Sequence, residues 1–333
     1  MPEPLASPVF LIDLIEQMAE QLEAAGLSAA DGFGQGTHTA FDEAAWLVMW
    51  KLDLPLDSLD EHDLLVVSQL QAQAVTALIQ QRITSRQPAA YITGEAWLMG
   101  VPFHVDKRCI IPRSLIAEVL DSGSIDPWLG PHTHRVLDMC TGNGSLAVLA
   151  AMAYPDVTVD ALDISADALA VARLNIDRHA LADRIALLES DGFAACAGQR
   201  YDLVLCNPPY VNSASMAALP AEFKAEPALA LAGGEDGMDF VRRLLTEVPR
   251  YMSENAVLVL EIGHERPYFN KAFSSLQPLW LDTSAGGDQV LLLKRSQLED
   301  LVLSSAYQFP TVDLIHDYPE KCGAAPRRKS TAR

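Results

Sequence analysis

The sequence predicts an α/β protein: a mainly parallel sheet covered on both faces, preceded by a small helical domain and a β-hairpin linker. Three observations predict it. From Arg135 onward, short apolar runs alternate with helical repeats, the texture of βαβ units. Before Pro88, apolar residues recur at helical spacing. Between these regions, Gly100-Val101-Pro102 splits two strand-like runs.

Ser7-Pro8 reads as a helix start, with Ser as N-cap and Pro at the first helical position. Leu11, Leu14, Ile15, Met18 and Leu22 follow at helical spacing, and Gly26 can end the element. Residues 31–37 (Asp-Gly-Phe-Gly-Gln-Gly-Thr) form a glycine-rich loop. No strand precedes it and no Gly-Lys-Ser/Thr follows, so it reads as a connector rather than a phosphate cradle. A second helix covers residues 41–51; a third opens at Asp60 and carries Leu64, Val67, Ala74 and Leu78 on one face. Residues 91–99 and 101–105 read as the hairpin. Strands follow at 136–139, 158–162, 185–188, 201–206, 257–261 and 289–293, with helices at 145–153, 166–179 and 237–251. The expected organisation is a helical domain over 1–88, a linker over 89–108, an α/β domain over 109–298, and an extension over 299–333 whose basic end reads as a loose tail.

The chain has 333 residues, half of them apolar, enough for two domains with a sizeable core. No apolar run approaches the ~18 residues of a membrane span, and the N-terminus lacks a signal pattern. Five scattered cysteines without C-x-x-C argue against a disulfide framework or a zinc site and for a reducing cytoplasm. His132 and His134 have no further ligand-type residues at metal spacing, so no metal is expected. The formal net charge is −20, which disfavours a polyanionic substrate and suits a basic protein partner.

The most informative stretch is 201–210, Tyr-Asp-Leu-Val-Leu-Cys-Asn-Pro-Pro-Tyr. An apolar β run stops at a polar residue, and two prolines forbid its continuation. Asn207, the Pro208 carbonyl, Pro209 and the Tyr210 ring are then presented at the carboxyl end of a strand, where α/β sheets bind ligands. A side-chain carbonyl and an unpaired backbone carbonyl can grip an NH2 group by accepting both hydrogens. That suits a planar amide or an exocyclic amine.

The first α/β strand runs into Asp138-Met139-Cys140-Thr141-Gly142-Asn143-Gly144. The third glycine of a dinucleotide fingerprint is missing, and a carboxylate beside the loop repels phosphate but favours a cationic ligand. Asp163 closes the second strand, where a carboxylate suits two ribose hydroxyls, and Ser190-Asp191 closes the third, within reach of an adenine. Each aspartate alone could be a helix cap. Three acids at successive strand ends, followed by N-P-P-Y at the fourth, read together as an S-adenosyl-L-methionine-dependent methyltransferase acting on nitrogen.

On these residues the chain resembles a known family, the class I methyltransferases that methylate glutamine side chains of translation proteins. One branch modifies release factors and another modifies ribosomal protein L3. Three stretches resemble the L3 branch: Gly34-Gln35-Gly36-Thr37 with Asp42-Glu43-Ala44; Ile111-Pro112-Arg113-Ser114 through Glu118, where release-factor enzymes tend to read P-R-P-x-T-E; and Asp138-Met139-Cys140-Thr141-Gly142, with Cys140 in place of Gly. The chain departs from the L3 pattern at Gln35, Asn143 and Leu146.

The resemblance implies a Rossmann-like sheet of seven strands, a substrate-recognising helical domain, and transfer of a methyl group to the N5 amide of a glutamine in L3. It further implies that Asp138, Cys140, Thr141, Gly142 and Gly144 hold the methionine part of the cofactor. Asp163 and Ile164 would hold the ribose, and Asp191, Gly192 and Phe193 would border the adenine. Asn207, Pro208, Pro209 and Tyr210 would grip the amide, with Asn207 also facing the cofactor, and Pro112 and Arg113 would border the substrate side. The partner would be L3, free or in an assembling large subunit, with no membrane and no sequence-specific nucleic acid. A release factor is the alternative within the family. A nucleic-acid exocyclic amine is the alternative outside it, and a catalytically idle assembly factor is the alternative from another class.

Overall fold

The computed structural model describes residues 8–27 and 36–306. The N-terminal domain comprises β1 (Val9–Phe10), α1 (Leu11–Ala24), α2 (Ala40–Lys51), α3 (Leu59–His62), β2 (Val66–Val67), α4 (Gln69–Ser85) and α5 (Ala89–Thr93). Leu11, Leu14, Ile15, Met18 and Leu22 bury one stripe of α1 against Ala44, Leu47 and Val48 of α2 and Val75 and Ile79 of α4.

Two expectations need correction here. The first helix starts at Leu11, not beside Pro8, because Val9 and Phe10 pair antiparallel with Val67 and Val66; Ser7 and residues 31–35 lie outside the described residues. The expected third helix is three elements, since Leu64 is exposed and Val67 belongs to β2; α4 begins afresh with a capping box of Ser68 and Gln71. A non-local strand pairing overrode the local period.

The hairpin is β3 (Glu95–Leu98) and β4 (Val101–His104). Tyr91, expected in its first strand, sits in α5 instead, which follows Pro88 and ends at Gly94 with φ +74°. After α6 (Ile116–Asp121) come β5 (Arg135–Met139), α7 (Ser145–Ala153), β6 (Thr158–Asp163), α8 (Ala166–Arg178), β7 (Ile185–Glu189), β8 (Tyr201–Cys206), α9 (Ser213–Ala218), α10 (Asp239–Glu247), β9 (Met252–Glu261), α11 (Arg266–Ala272), β10 (Leu279–Thr283), β11 (Gly286–Lys294) and α12 (Arg295–Ala306). Residue 298, expected to end the α/β domain, lies inside α12, whose Leu298 is fully buried.

The sheet order is β10-β11-β9-β8-β5-β6-β7, with β11 antiparallel to both of its neighbours, β10 and β9, and the remaining pairs parallel. The class I methyltransferase fold expected from the sequence is therefore present. Alternation places Val136, Leu203, Leu205 and Val259 on one face under α6 and α7, and Leu137, Val204, Cys206 and Leu258 on the other under α10 and α11. From β5 the chain goes to β6 on one side, while β8 lies on the other. That reversal opens a crevice beyond the carboxyl ends of β5 and β8. Both sequence motifs emerge there.

Candidate active site

The Asn207-Pro208-Pro209-Tyr210 turn leaves β8 into this crevice. Two cavities meet at it. The larger is lined by Met139, Leu162, Ile164, Asp191, Phe240 and Pro209; the smaller by Arg113, Pro208, Tyr210, Leu219, Phe223 and Leu231; Asn207, Ile110 and Ala230 line both. Among the described residues, nothing donates to the Asn207 side-chain carbonyl or to the Pro208 carbonyl. Both residues line the smaller cavity, and these two acceptors have no donor among the described residues.

Tyr210 is wedged in place. A Cβ at Gly263, where φ is +54°, would come within 2.5 Å of its ring, so the ring lies where only a glycine leaves room. Its hydroxyl donates to Glu261 at 3.1 Å, and the other Glu261 oxygen accepts from the Ser114 hydroxyl at 2.6 Å and the Leu115 N–H at 2.9 Å. Burial raises the Glu261 carboxyl above its ordinary range, and burial with the facing carboxylate raises the Tyr210 phenol.

Of the expected cofactor residues, Cys140, Gly142, Asp163, Ile164, Asp191, Gly192 and Asn207 line the larger cavity. Asp163 is not the cap of α8; Ser165 is, accepting from Ala168 N. The Asp163 carboxylate instead accepts the Gly142 N–H at 2.8 Å and the Ser165 N–H at 2.9 Å, which fastens the β5 loop to the end of β6. Cys140 adopts φ +62°, an uncommon conformation for a residue with a Cβ.

Asp138, Thr141, Gly144 and Phe193 are not among the residues that line the larger cavity and lie behind those that do. Asp138 is buried, and one of its oxygens accepts from the Thr141 hydroxyl and from Ala147 N–H at 3.0 Å. Its other oxygen has no partner among the described residues, and burial pushes the carboxyl up to about 7. Gly144 lets α8 approach, since a Cβ there would lie 3.1 Å from that of Ala172. Phe193 is buried and stacks on Tyr251 with centroids 4.4 Å apart.

Of the two residues expected on the substrate side, Pro112 is buried and Arg113 lines the smaller cavity. Arg113 makes a bidentate pair with Glu226, at 2.6 and 2.8 Å, and lies over the Phe223 ring. Glu226, Phe223, Leu229 and Glu261 escaped the sequence reading. The only signal for the first was two glutamates four apart, Glu222 and Glu226, in a stretch that is apolar apart from them and Lys224. Their partners lie more than a hundred residues away in the chain.

The family model described as Methyltransferase small domain matches residues 115–254. A ribosomal protein uL3 glutamine methyltransferase from Bordetella pertussis is 52% identical over 290 residues, 86% of this chain and 96% of that one. That of Burkholderia pseudomallei is 47% identical over 295 residues, 86% of this chain and 94% of that one. The chain belongs to the ribosomal protein uL3 glutamine methyltransferase family.

As a member of that family it is an enzyme, a methyltransferase. Within this family's frame the three branch-like stretches acquire positions. Thr37 donates to Glu43 at 3.4 Å, Ser114 holds Glu261, and Cys140 lines the larger cavity. None of these contacts is visible from spacing alone.

Proposed function

We propose that the protein transfers a methyl group from S-adenosylmethionine to the N5 side-chain amide nitrogen of a glutamine in ribosomal protein L3. The observation that carries this reading is the pair of open acceptors, the Asn207 side-chain carbonyl and the Pro208 carbonyl, beside the point where two cavities meet.

The larger cavity fits an adenosyl sulfonium better than a polyphosphate. Its wall carries carboxylates, and the basic residue described on it, Arg108, is already paired with Asp106 at 2.6 Å. The backbone at Cys140 and Gly142 would hold the methionine end, with the unpartnered Asp138 oxygen beneath; Asp163 would hold the ribose hydroxyls, and Asp191 and Gly192 would border the base. When bound, the cofactor supplies an electrophilic methyl group.

The chain's own residues do the rest. An amide nitrogen is a poor nucleophile because its lone pair is delocalised into the carbonyl. Two fixed acceptors that take both amide hydrogens aim that nitrogen across the Asn207 boundary. They also stabilise the positive charge that grows on nitrogen as the N–CH3 bond forms, a charge discharged when one of the two amide protons leaves to water. Alignment of two held reactants can supply up to roughly 7–11 kcal/mol of the barrier reduction. Tyr210 and Phe223 flank the amide with apolar surface, and the prolines keep the turn from adjusting away. No covalent nucleophile is required.

The formal charge of −20 favours encounter with a basic protein such as a ribosomal protein, and the reaction is placed in the cytoplasm, where such proteins are made. The test is direct. Purified enzyme and S-adenosylmethionine are incubated separately with unmethylated L3, a release factor and ribosomal RNA, and each product is weighed. One added methyl on a glutamine of L3 alone is expected. A methyl on the release factor alone would move the substrate; label only in RNA would overturn the reading.

A further inference from the structure

Beyond Val211, which bridges to Ala232, the chain makes an excursion that walls both cavities. Leu219, Phe223 and Leu231 face the smaller cavity, and Pro227 and Leu229 face the larger. Residues 219–231 contain only single turns of helix, and Leu229 is 60% exposed, so little apolar burial holds this wall in place. Two buried carboxylates hold it instead.

Glu226 reaches back to the linker, to Ile111 N–H at 3.0 Å and to Arg113. Glu222 reaches into the N-terminal domain. Its fully buried carboxylate accepts from Arg82 at 3.0 Å and lies 2.6 Å from Arg86 Nε; Arg82, itself fully buried, also donates to Glu43 at 2.8 Å. A buried ion network is a poor source of net stability, because desolvation offsets most of the attraction. What it does supply is a unique arrangement. Apolar contact would let the wall slide, whereas a buried charge has to find its partner.

We propose that Glu222 is a positioning residue for methyl transfer: through Arg82 and Arg86 it fastens the wall at residues 219–231 to the helical domain, and turnover depends on that fastening. The inference rests on the proposed reading of the Asn207 turn as the methyl-transfer site. It changes what the helical domain does. Besides any part in recognising substrate, that domain supplies Arg82 from α4 and Arg86 from its C-cap, without which neither cavity has its outer wall.

Glu222→Gln leaves buried positive charge and can unfold the protein, so the primary variant is Arg86→Gln, at a side chain 28% exposed, with Arg86→Lys as the conservative control. Hydrogen exchange is followed at amides 225–232 and in β8, alongside kcat and KM for L3 and the cofactor Kd. In Arg86→Gln, exchange at 225–232 is expected to rise by about tenfold with β8 unchanged, kcat to fall about tenfold, and Arg86→Lys to recover most of both. Unchanged exchange would overturn the fastening, and raised exchange with unchanged kcat and KM would overturn its role in turnover. If the unsubstituted enzyme leaves L3 unmethylated, the proposed function fails, while the exchange data still decide whether Glu222 holds the wall.

Discussion

Ser114 donates its hydroxyl to Glu261 across 2.6 Å, and the other oxygen of that carboxylate accepts the Tyr210 hydroxyl. A residue of the linker side thus helps to set the ring that lines the smaller cavity. Ser114→Ala removes a donor from a carboxylate that is 3% exposed, and is expected to cost about 1–3 kcal/mol of stability. Urea unfolding checks this; a midpoint equal to that of the parent would mean that Leu115 N–H suffices.

Asn207→Ala deletes one of the two open acceptors. Turnover on L3 is expected to fall by roughly 10²–10³, the scale seen when one preorganised group at a developing charge is removed. Cofactor affinity should change little, because the other residues that line the larger cavity, Asp163 and Asp191 among them, are left in place. Calorimetry decides: an equal loss of cofactor binding would contradict the division of roles between the two cavities.

Asp163→Ala is expected to weaken cofactor binding at least about tenfold, near 1.4 kcal/mol. Two effects add, since the variant loses the carboxylate and also releases Gly142 N–H. An unchanged Kd would leave Asp163 with only its loop-fastening role.

Gly263→Ala places a methyl group within 2.5 Å of the Tyr210 ring, at a backbone φ of +54°. The ring has to move. A loss of kcat on L3 is expected with cofactor Kd preserved within about twofold; full activity would mean that the ring position is immaterial.

Asp138 gives a pH signature. Burial holds its carboxyl at about 7 in the folded state against 3.8 for the ordinary group. Between those values the folded chain keeps a proton that the unfolded chain has lost, so this residue's contribution to stability declines as pH rises through the window and is flat above it. The full effect is roughly 4 kcal/mol. Asp138→Asn is expected to flatten the decline, as measured by urea unfolding at several pH values from 4.5 to 8. A parallel profile in both proteins would show that other groups dominate.

Much of the fold was legible in the chain. Strands 201–206 and helix 145–153 have the bounds expected of them, because strong apolar periods end at unmistakable breakers: Asn207-Pro208-Pro209 for one, Gly144 and Tyr154-Pro155 for the other. β10 was missed as a separate strand. It is a five-residue edge strand with Leu279 exposed, so its apolar signal is weak. The opening of α1 was misplaced because Val9 and Phe10 answer to Val66 and Val67, residues that no local pattern connects to them.

By itself the sequence determined the alternating α/β texture, the crevice motifs and the Asn207-Pro208-Pro209-Tyr210 turn at the end of β8. Each of these follows from period, proline and glycine stereochemistry acting over a few residues. Tertiary structure alone decided which buried carboxylates meet which hydrogen-bond donors. Glu222 with Arg82, Glu226 with Arg113 and Glu261 with Ser114 are each more than a hundred residues apart in the chain. Pairing between charges depends on distance in space and on exclusion of water, and neither is written in residue spacing.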